Sequence, residues 1–429
     1  MSATQAPAVE APAIPASEEE RVWTPSTRGW VARLAILGGL FFILFYVTAT
    51  VPQYWADRIS LAAVWAIIGL SLNVVLGYVG QLSLGHQGFI GIAAFVAAWY
   101  ATTRAGCPTE QCSVGAFASS TALAVISGAV VAGLLGLVAL RIKGLYLALI
   151  TLAYAFMAER SIFEISALTR AGAGMPAPRP AGFTSDRMFA YLCFFFLAIV
   201  LFIDWRVLKS KAGRAILSIK HSEPVAASYG INVTLYKVLA FVLSGMFAGL
   251  AGSLLAFHAT QVVSNDFQFN VALLWVLMVV VGGLGNRTGV VIGSAFFALF
   301  PFLIELIGPL SHWLEGTGRS TGEYAIVIGA LLALLTLILY PGGIAEQISP
   351  ITRWIRGQKF SMHPEGHGHH KTERASPLSK LRRHKKGEPD AQEVESTDKP
   401  PPAQQETSEL EPVGSAAEGE AAGSKSERP

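Results

Sequence analysis

A group of amide, hydroxyl and imidazole side chains lies in the stretch Leu70–Gly91, within an apolar part of the chain. Their spacing forms neither a Ser/His/Asp arrangement nor the paired carboxylates that hydrolysis uses. Inside a membrane each such side chain costs a few kcal/mol unless it faces a partner or a water-filled cavity. The group therefore predicts the lining of a translocation path. Its members are Asn73, Gln81, Ser83, His86 and Gln87.

Glycines alternate with these polar residues, at Gly77, Gly80, Gly85, Gly88 and Gly91. This density is typical of a broken or closely packed pair of helices with exposed backbone. A second interpretation is a reverse turn between two hairpin helices, with the polar side chains at the membrane interface. His86 by itself fits a structural hydrogen bond better than a proton carrier.

The longest basic interruption of the apolar chain is Arg206–Lys237. The composition up to His221 predicts a short amphipathic helix, Pro224 suits the first turn of a second helix, and Gly230 can end it. By the positive-inside rule the stretch is cytoplasmic. It is either a solvated loop that only fixes topology or a docking surface under a membrane domain. Its five positive charges before that second helix are Arg206, Lys209, Lys211, Arg214 and Lys220.

The remaining motifs are more typical of helix packing than of a catalytic or nucleotide-binding site. The chain has no G-x-x-x-x-G-K-[ST] sequence and so no P-loop of its own. The glycine cluster Gly282–Gly289, with Gly293, predicts close helix approach. We expect no cofactor and no structural metal, although a histidine tract could chelate zinc if it is more than low-complexity sequence. That tract contains His363, His367, His369 and His370.

The composition of the chain predicts that these residues are positioned by transmembrane helices. Hydrophobic residues make up 52% and charged residues 14% of the chain, and the mean hydropathy is +0.48. Soluble domains carry roughly 25% charged residues, so the fold class is all-α, a polytopic transmembrane helical bundle. Taking apolar runs of about 20 residues as spans, we predict about ten. They are Trp30–Val51, Ser60–Tyr78, Leu84–Ala101, Ala116–Leu140, Gly144–Phe163, Met188–Trp205, Val238–His258, Val271–Leu284, Gly289–Ile307 and Tyr324–Tyr340.

Alternating these spans from a cytoplasmic 206–237 loop puts both termini inside and the loop that contains Cys107 and Cys112 outside. Those two cysteines then either form one local disulfide or remain free thiols. We expect a disordered leader over 1–29 without a cleavable signal, a permease domain over 30–346, and a disordered cytoplasmic tail over 347–429.

Four stretches together resemble a known family. They are Gly69–Ala98, Arg141–Ala155, Ser210–Ala256 and Leu277–Ala295. In order, they are similar to the permease subunits of branched-chain amino acid ABC importers, with the M-type permease as the best match. The resemblance covers roughly residues 61–344. It implies an inner-membrane heterodimer with a second permease, two cytoplasmic ATPase subunits that hydrolyse ATP, and a periplasmic binding protein that delivers leucine, isoleucine or valine.

In this family an E-A-A-x-x-x-G pattern docks on the ATPase. The matching residues here are Glu223, Ala226, Ala227 and Gly230. The match departs from the pattern, because Pro224 and Val225 come before the alanines and the glycine falls one place late. The resemblance therefore implies the docking role but leaves the detailed contacts open.

Three alternatives remain at this point. Permeases for urea and short amides look similar to this family, and specificity lies mainly in the binding protein. An ion-coupled secondary transporter would need buried carboxylates or a proton relay in mid-span. A membrane scaffold whose long tail does the work would not need the polar residues of the stretch Leu70–Gly91.

Overall fold

The computed structural model describes residues 52–107, 111–139, 145–165, 174–306 and 342–348, with single positions between 46 and 50 and between 331 and 338. Apart from those single positions, the first and tenth predicted spans lie outside the described residues. The leader, the histidine tract and almost all of the tail lie outside them as well. The predictions made for these segments therefore stay predictions.

The described chain is helical with one very small sheet. Its elements are α1 (Gln53–Leu72) continued by a π-helix (Asn73–Val79), α2 (His86–Thr103), α3 (Val114–Ala139), α4 (Leu145–Arg160), β1 (Met175–Pro176), α5 (Asp186–Lys209), α6 (Lys211–His221), α7 (Glu223–Ser228), α8 (Val233–Ala259), β2 (Gln261–Val262), α9 (Phe269–Gly282) and α10 (Arg287–Leu306). Single 3₁₀ turns cover Ile162–Glu164 and Ser264–Phe267.

Five of the described helices are long and apolar enough to cross a membrane: α1 with its π-helix, α3, α4, α5 and α8. Helices α9 and α10 are shorter apolar helices. The all-α membrane bundle is thus confirmed in its coarse form, and the count of about ten spans stays a prediction.

Helices α1 and α8 form the centre of this bundle. In the most apolar 18 residues of each helix, 83% are buried in α1 and 67% in α8, against 28–33% in α3, α4 and α5. Along α3, Ile126, Val130 and Leu134 are more than half exposed. The outer helices therefore offer apolar faces to lipid or to another subunit.

Small residues let the helices cross closely. A Cβ added at Gly245 of α8 would lie 2.3 Å from the carbonyl oxygen of Gly128 in α3, and one added at Gly249 would lie 2.4 Å from that of Ala124. The glycine cluster predicted to pack does so. A Cβ added at Gly289 would lie 2.1 Å from the carbonyl oxygen of Gly282. Backbone contact of this kind replaces the hydrophobic driving force that is missing between helices in lipid.

One end of the bundle, here named the Arg179 end, is tied together by the loop before α5. The Arg179 guanidinium forms ion pairs with Asp57 of α1 and Asp186 of α5, and it donates to the carbonyl oxygen of His258 in α8. Strand β1 pairs antiparallel with β2 close by. Cys107 and Cys112 form a disulfide at this end, which decides the question that the sequence left open.

The Gly128–Gly245 crossing predicts a sharp difference between two alanine substitutions. Gly245→Ala should lower the thermal stability of the purified protein, because overpacking costs about 1–3 kcal/mol and more when backbone is in the way. Gly115→Ala is the matched control on α3, since a Cβ there meets nothing within 4 Å. Thermal unfolding in detergent followed by size-exclusion chromatography measures both. Equal midpoints for the two variants would contradict the crossing.

Candidate functional site

The candidate site begins where the first helix is interrupted. After α1 the chain widens into the π-helix, which ends at Gly80 with a left-handed φ of 76°. Residues 81–85 are not in a regular helix, and α2 starts at His86. The chain is therefore interrupted in this stretch, as both sequence-based interpretations, a broken helix pair and a reverse turn between hairpin helices, predict.

Side chains from other elements satisfy the backbone at this interruption. The Lys220 ammonium of α6 donates to the carbonyl oxygen of Gly77, at 2.7 Å. The Thr151 hydroxyl of α4 accepts from the amide of Leu84, at 3.0 Å. On the other side, the Asn73 amide oxygen accepts from the backbone N–H of Gly285, at 2.9 Å. Backbone polar groups at membrane depth need such partners.

The segment is also packed tightly. A Cβ added at Gly85 would lie 2.5 Å from the carbonyl oxygen of Thr151, and one added at Gly88 would meet the Tyr154 ring at 2.5 Å. The side chains of Ser83, His86 and Gln87 are buried. Their burial is within the bundle, so the alternative of a reverse turn between two hairpin helices at the membrane interface stays open.

His86 is the centre of a buried hydrogen-bond network between α1, α2 and α8. Its Nε2 lies 2.9 Å from the Ser244 hydroxyl, and its Nδ1 lies 3.3 Å from that of Ser83. The hydroxyls of Ser71 and Ser244 each donate to the other's backbone carbonyl at 2.8 Å. Ser244 therefore accepts from His86, which requires the Nε2–H tautomer. The prediction of a structural hydrogen bond for His86 is confirmed.

Ser71 and Ser244 were missed by sequence reasoning. Each is one of two serines in an apolar helix, a pattern that hydroxyls bonded to their own helix also give. What distinguishes Ser71 and Ser244 from such serines is that the structure places their hydroxyls opposite each other.

Three predicted path residues carry amide atoms that remain without a partner among the described residues. Neither amide atom of Gln87 has one, although its side chain is buried. The same holds for Oε1 of Gln81 and for Nδ2 of Asn73. A buried unsatisfied polar group costs about 1–3 kcal/mol. Because these atoms are buried, water or a solute would reach them only after the packing around them opens.

A charged contact joins three elements at the opposite end of the bundle, here named the Lys220 end. The Tyr78 hydroxyl donates to the Asp204 carboxylate of α5 at 3.2 Å, and Nε of Arg287 in α10 lies 3.5 Å from the same oxygen. The Asp204 side chain is buried. Sequence reasoning missed this contact, because acidic residues near span ends are common and nothing local marks this one as buried.

The short helices α6 and α7 match the prediction for the basic stretch. Ser210 and Ser222 cap them by accepting from the amides of Gly213 and Val225. Gly230 adopts a left-handed φ of 77° just after α7. The polar connection is shorter than Arg206–Lys237, since α5 runs to Lys209 and α8 begins at Val233. Capping residues, rather than the end of the apolar run, decide where these helices stop.

The four predicted docking residues divide into two pairs. Glu223 forms an ion pair with Lys237 of α8, whose side chain is 2% exposed, and Ala226 is buried. These two hold α7 to the bundle. Ala227 and Gly230 are exposed. Beside them the structure presents three exposed apolar side chains that the sequence analysis did not select, here named the α7 patch: Val225, Tyr229 and Leu235.

Comparisons with known proteins agree with one another. The chain is 27% identical to the high-affinity branched-chain amino acid transport system permease protein LivM of Salmonella typhimurium, over 74% of this chain and 77% of that protein. It is 26% identical to LivM of Escherichia coli, over 72% and 76%. It is 21% identical to a probable LivM of Methanocaldococcus jannaschii, over 69% and 95%. No solved structure matches the chain.

Residues 55–336 match the family described as the permease component of the branched-chain amino acid transport system. That match includes the helix interruption, α6, α7 and the α7 patch. Because it spans more than half of the sequence, the chain belongs to this family of membrane permeases.

Proposed function

We propose that the chain is the M-type permease subunit of an ATP-driven importer and carries branched-chain amino acids across a bacterial inner membrane. It is a transporter subunit rather than an enzyme, because its family consists of permease components and it contains no P-loop. The observation that carries the proposal is the α6–α7 pair, which is anchored to the bundle. On its outer side this pair exposes the apolar side chains of the α7 patch. On its inner side Lys220 donates a hydrogen bond to the helix interruption.

The two ends of the bundle support an orientation in the membrane and a set of partners. The Lys220 end carries the basic residues of the α5–α6 connection, which supports a cytoplasmic position. The disulfide supports a periplasmic position for the Arg179 end. The complete importer then contains a second permease, two ATPase subunits, one of them at the α7 patch, and a periplasmic binding protein at the Arg179 end.

Closure of the ATPases would reach the path through two contacts. A shift of α6 pulls on Lys220 and so on the carbonyl oxygen of Gly77 in the π-helix. A shift of α7 pulls on the Glu223–Lys237 pair and so on α8. Both contacts lead toward the helix interruption, where amide atoms of Gln81 and Gln87 have no hydrogen-bond partner among the described residues. These uncharged amides can take the place of water around an amino acid zwitterion. Because they add no fixed charge, they would not bind the zwitterion tightly.

An ion-coupled transporter is the second candidate, because Asp204 is a buried carboxylate near the path. Its contacts with Arg287 and Tyr78 support a structural ion pair instead. Urea and short amides remain alternatives as cargo, since amide side chains also bind them.

The energy source for uptake distinguishes an ATP-driven importer from an ion-coupled transporter. Proteoliposomes with the assembled importer, binding protein and internal ATP should take up radiolabelled leucine, with no loss when a protonophore is added. Liposomes loaded with a non-hydrolysable ATP analogue are the control and should show only background. Uptake that a protonophore abolishes, and that does not require ATP, would rule out the proposal.

The α7 patch predicts a docking defect. Tyr229→Asp should reduce co-purification of the ATPase subunits at least about tenfold, because burying a carboxylate in an apolar contact is costly. Val114→Asp is the matched control, since Val114 is also exposed but lies at the Arg179 end. Pull-down of the tagged permease from membranes measures the difference. Equal ATPase recovery for both variants would show that docking lies elsewhere.

The Glu223–Lys237 pair predicts a local loosening of α7. Lys237→Met keeps the buried alkyl chain but removes the ion pair, and hydrogen bonds to charged groups contribute about 1.5–3 kcal/mol. Amide hydrogen exchange in α7 should then become at least about tenfold faster. Lys209→Met is the control, because the Lys209 ammonium lies over the exposed Trp205 ring. Unchanged exchange in α7 would argue against an anchoring role for the pair.

A further inference from the structure

Four basic side chains are exposed where α5 ends and α6 begins, and they are here named the basic corner. Arg206 and Lys209 lie one turn apart at the end of α5, and Lys211 and Arg214 lie one turn apart at the start of α6. Among the described residues, no aspartate or glutamate forms an ion pair with any of the four. Like charges this close repel one another and attract an anion.

The basic corner belongs to two helices, and hydrogen bonds hold these helices together. Nη1 of Arg214 in α6 donates to the carbonyl oxygen of Lys209 at the end of α5, at 3.3 Å. Between the helices, the Ser210 hydroxyl donates to the carbonyl oxygen of Val207 and accepts from the amide of Gly213. The turn is therefore fixed, and an anion with several oxygen atoms could contact both helices at once.

An exposed aromatic surface borders the basic corner on α5. The side chains of Trp205 and Phe202 are 40% and 62% exposed, with ring centroids 6.1 Å apart. The Lys209 ammonium lies 4.2 Å from the centroid of the Trp205 ring. Two turns earlier on the same face of α5, Phe195 is 60% exposed. Positive charge therefore continues into an apolar face of a helix that is long and apolar enough to cross a membrane.

We propose that the basic corner binds the headgroup of an anionic phospholipid, whose acyl chains lie along Phe195 and Phe202. The guanidinium groups of the corner match the geometry of phosphate oxygens, and tryptophan rings are enriched at the level of lipid headgroups. An acidic surface of another subunit could also neutralise the four charges. The continuity of these charges with the apolar face of a spanning helix favours a lipid.

A bound headgroup would join α5 to α6 near the helix interruption. Helix α6 carries Lys220, which donates to the carbonyl oxygen of Gly77, and α5 carries Asp204, which accepts from the Tyr78 hydroxyl. The lipid would thus stabilise two helices that contact the π-helix. This inference does not depend on which solute the permease carries.

Lipid binding to the purified full-length chain in detergent tests the inference. In native mass spectrometry, dioleoyl phosphatidylglycerol should bind with a Kd at least about tenfold lower than that of dioleoyl phosphatidylcholine, whose headgroup has no net charge. The double variant Arg206→Gln, Lys209→Gln should lose this preference, because two of the four positive charges are removed. Amide hydrogen exchange in α6 should become slower when phosphatidylglycerol is added to the wild type, and should not change in the double variant.

Two control variants separate loss of the site from loss of the fold. Arg206→Lys with Lys209→Arg keeps both charges and should bind phosphatidylglycerol as the wild type does. Arg104→Gln with Arg160→Gln removes two exposed charges at the Arg179 end, where the Arg104 guanidinium also lies over an indole ring, that of Trp99. This variant should keep the lipid preference.

Soluble phosphates distinguish a lipid from a free anion. Inorganic phosphate and sn-glycerol 3-phosphate lack acyl chains, and each buried methylene group adds to the affinity of a lipid. They should therefore compete with phosphatidylglycerol only at concentrations at least about tenfold higher than phosphatidylglycerol itself requires.

Several results would overturn the inference. Equal binding of the two lipids by the wild type, or an unchanged preference in the double variant, would show that the basic corner does not recognise an anionic lipid. Equal competition by sn-glycerol 3-phosphate would show that it takes a free phosphate ester. Unchanged lipid preference together with loss of the ATPase subunits from a pull-down of the double variant would show that the corner is a protein contact.

Discussion

A helix that stops inside a membrane must find hydrogen-bond partners for the backbone groups that it leaves free. Much of this bundle is arranged around that requirement at Gly80. The partners come from far along the sequence: Lys220 from α6 and Thr151 from α4. Helices α4 and α6 therefore stabilise the interruption, and a displacement of α6 would change its hydrogen bonding directly.

The centre of the bundle is held by close contacts. Helix α8 meets α3 by backbone contact at Gly245 and Gly249, and it meets α1 through the paired serine hydroxyls at Ser71 and Ser244. Contacts without long side chains leave little room for local adjustment. We therefore expect a shift at one end of α8 to reach the polar region around His86.

Sequence reasoning was accurate where the signal is local. The apolar runs predicted the long helices of the described chain, Pro224 and Gly230 predicted the bounds of α7, and the glycines between Gly77 and Gly91 predicted close packing. The role of the polar residues as a path remains a prediction, as do the spans outside the described residues.

What sequence reasoning missed depends on partners distant in the chain. Asp204 looked like an ordinary charge at a span end, and nothing near it in sequence indicates Tyr78 or Arg287. Glu223 was selected for docking, but its contact with Lys237, 14 residues away, shows that it also anchors α7. The α7 patch was missed because the exposure of Val225, Tyr229 and Leu235 depends on how α7 and the first turn of α8 pack against the bundle.

The ion pairs of Arg179 have a mechanical consequence for the whole permease. They fasten α1, α5 and α8 to one point at one end, whereas at the Lys220 end these helices contact α6 and α7. Helices that are joined at one end can separate only at the other. Relative movement of the three helices should then be smallest around the guanidinium, which acts as a pivot.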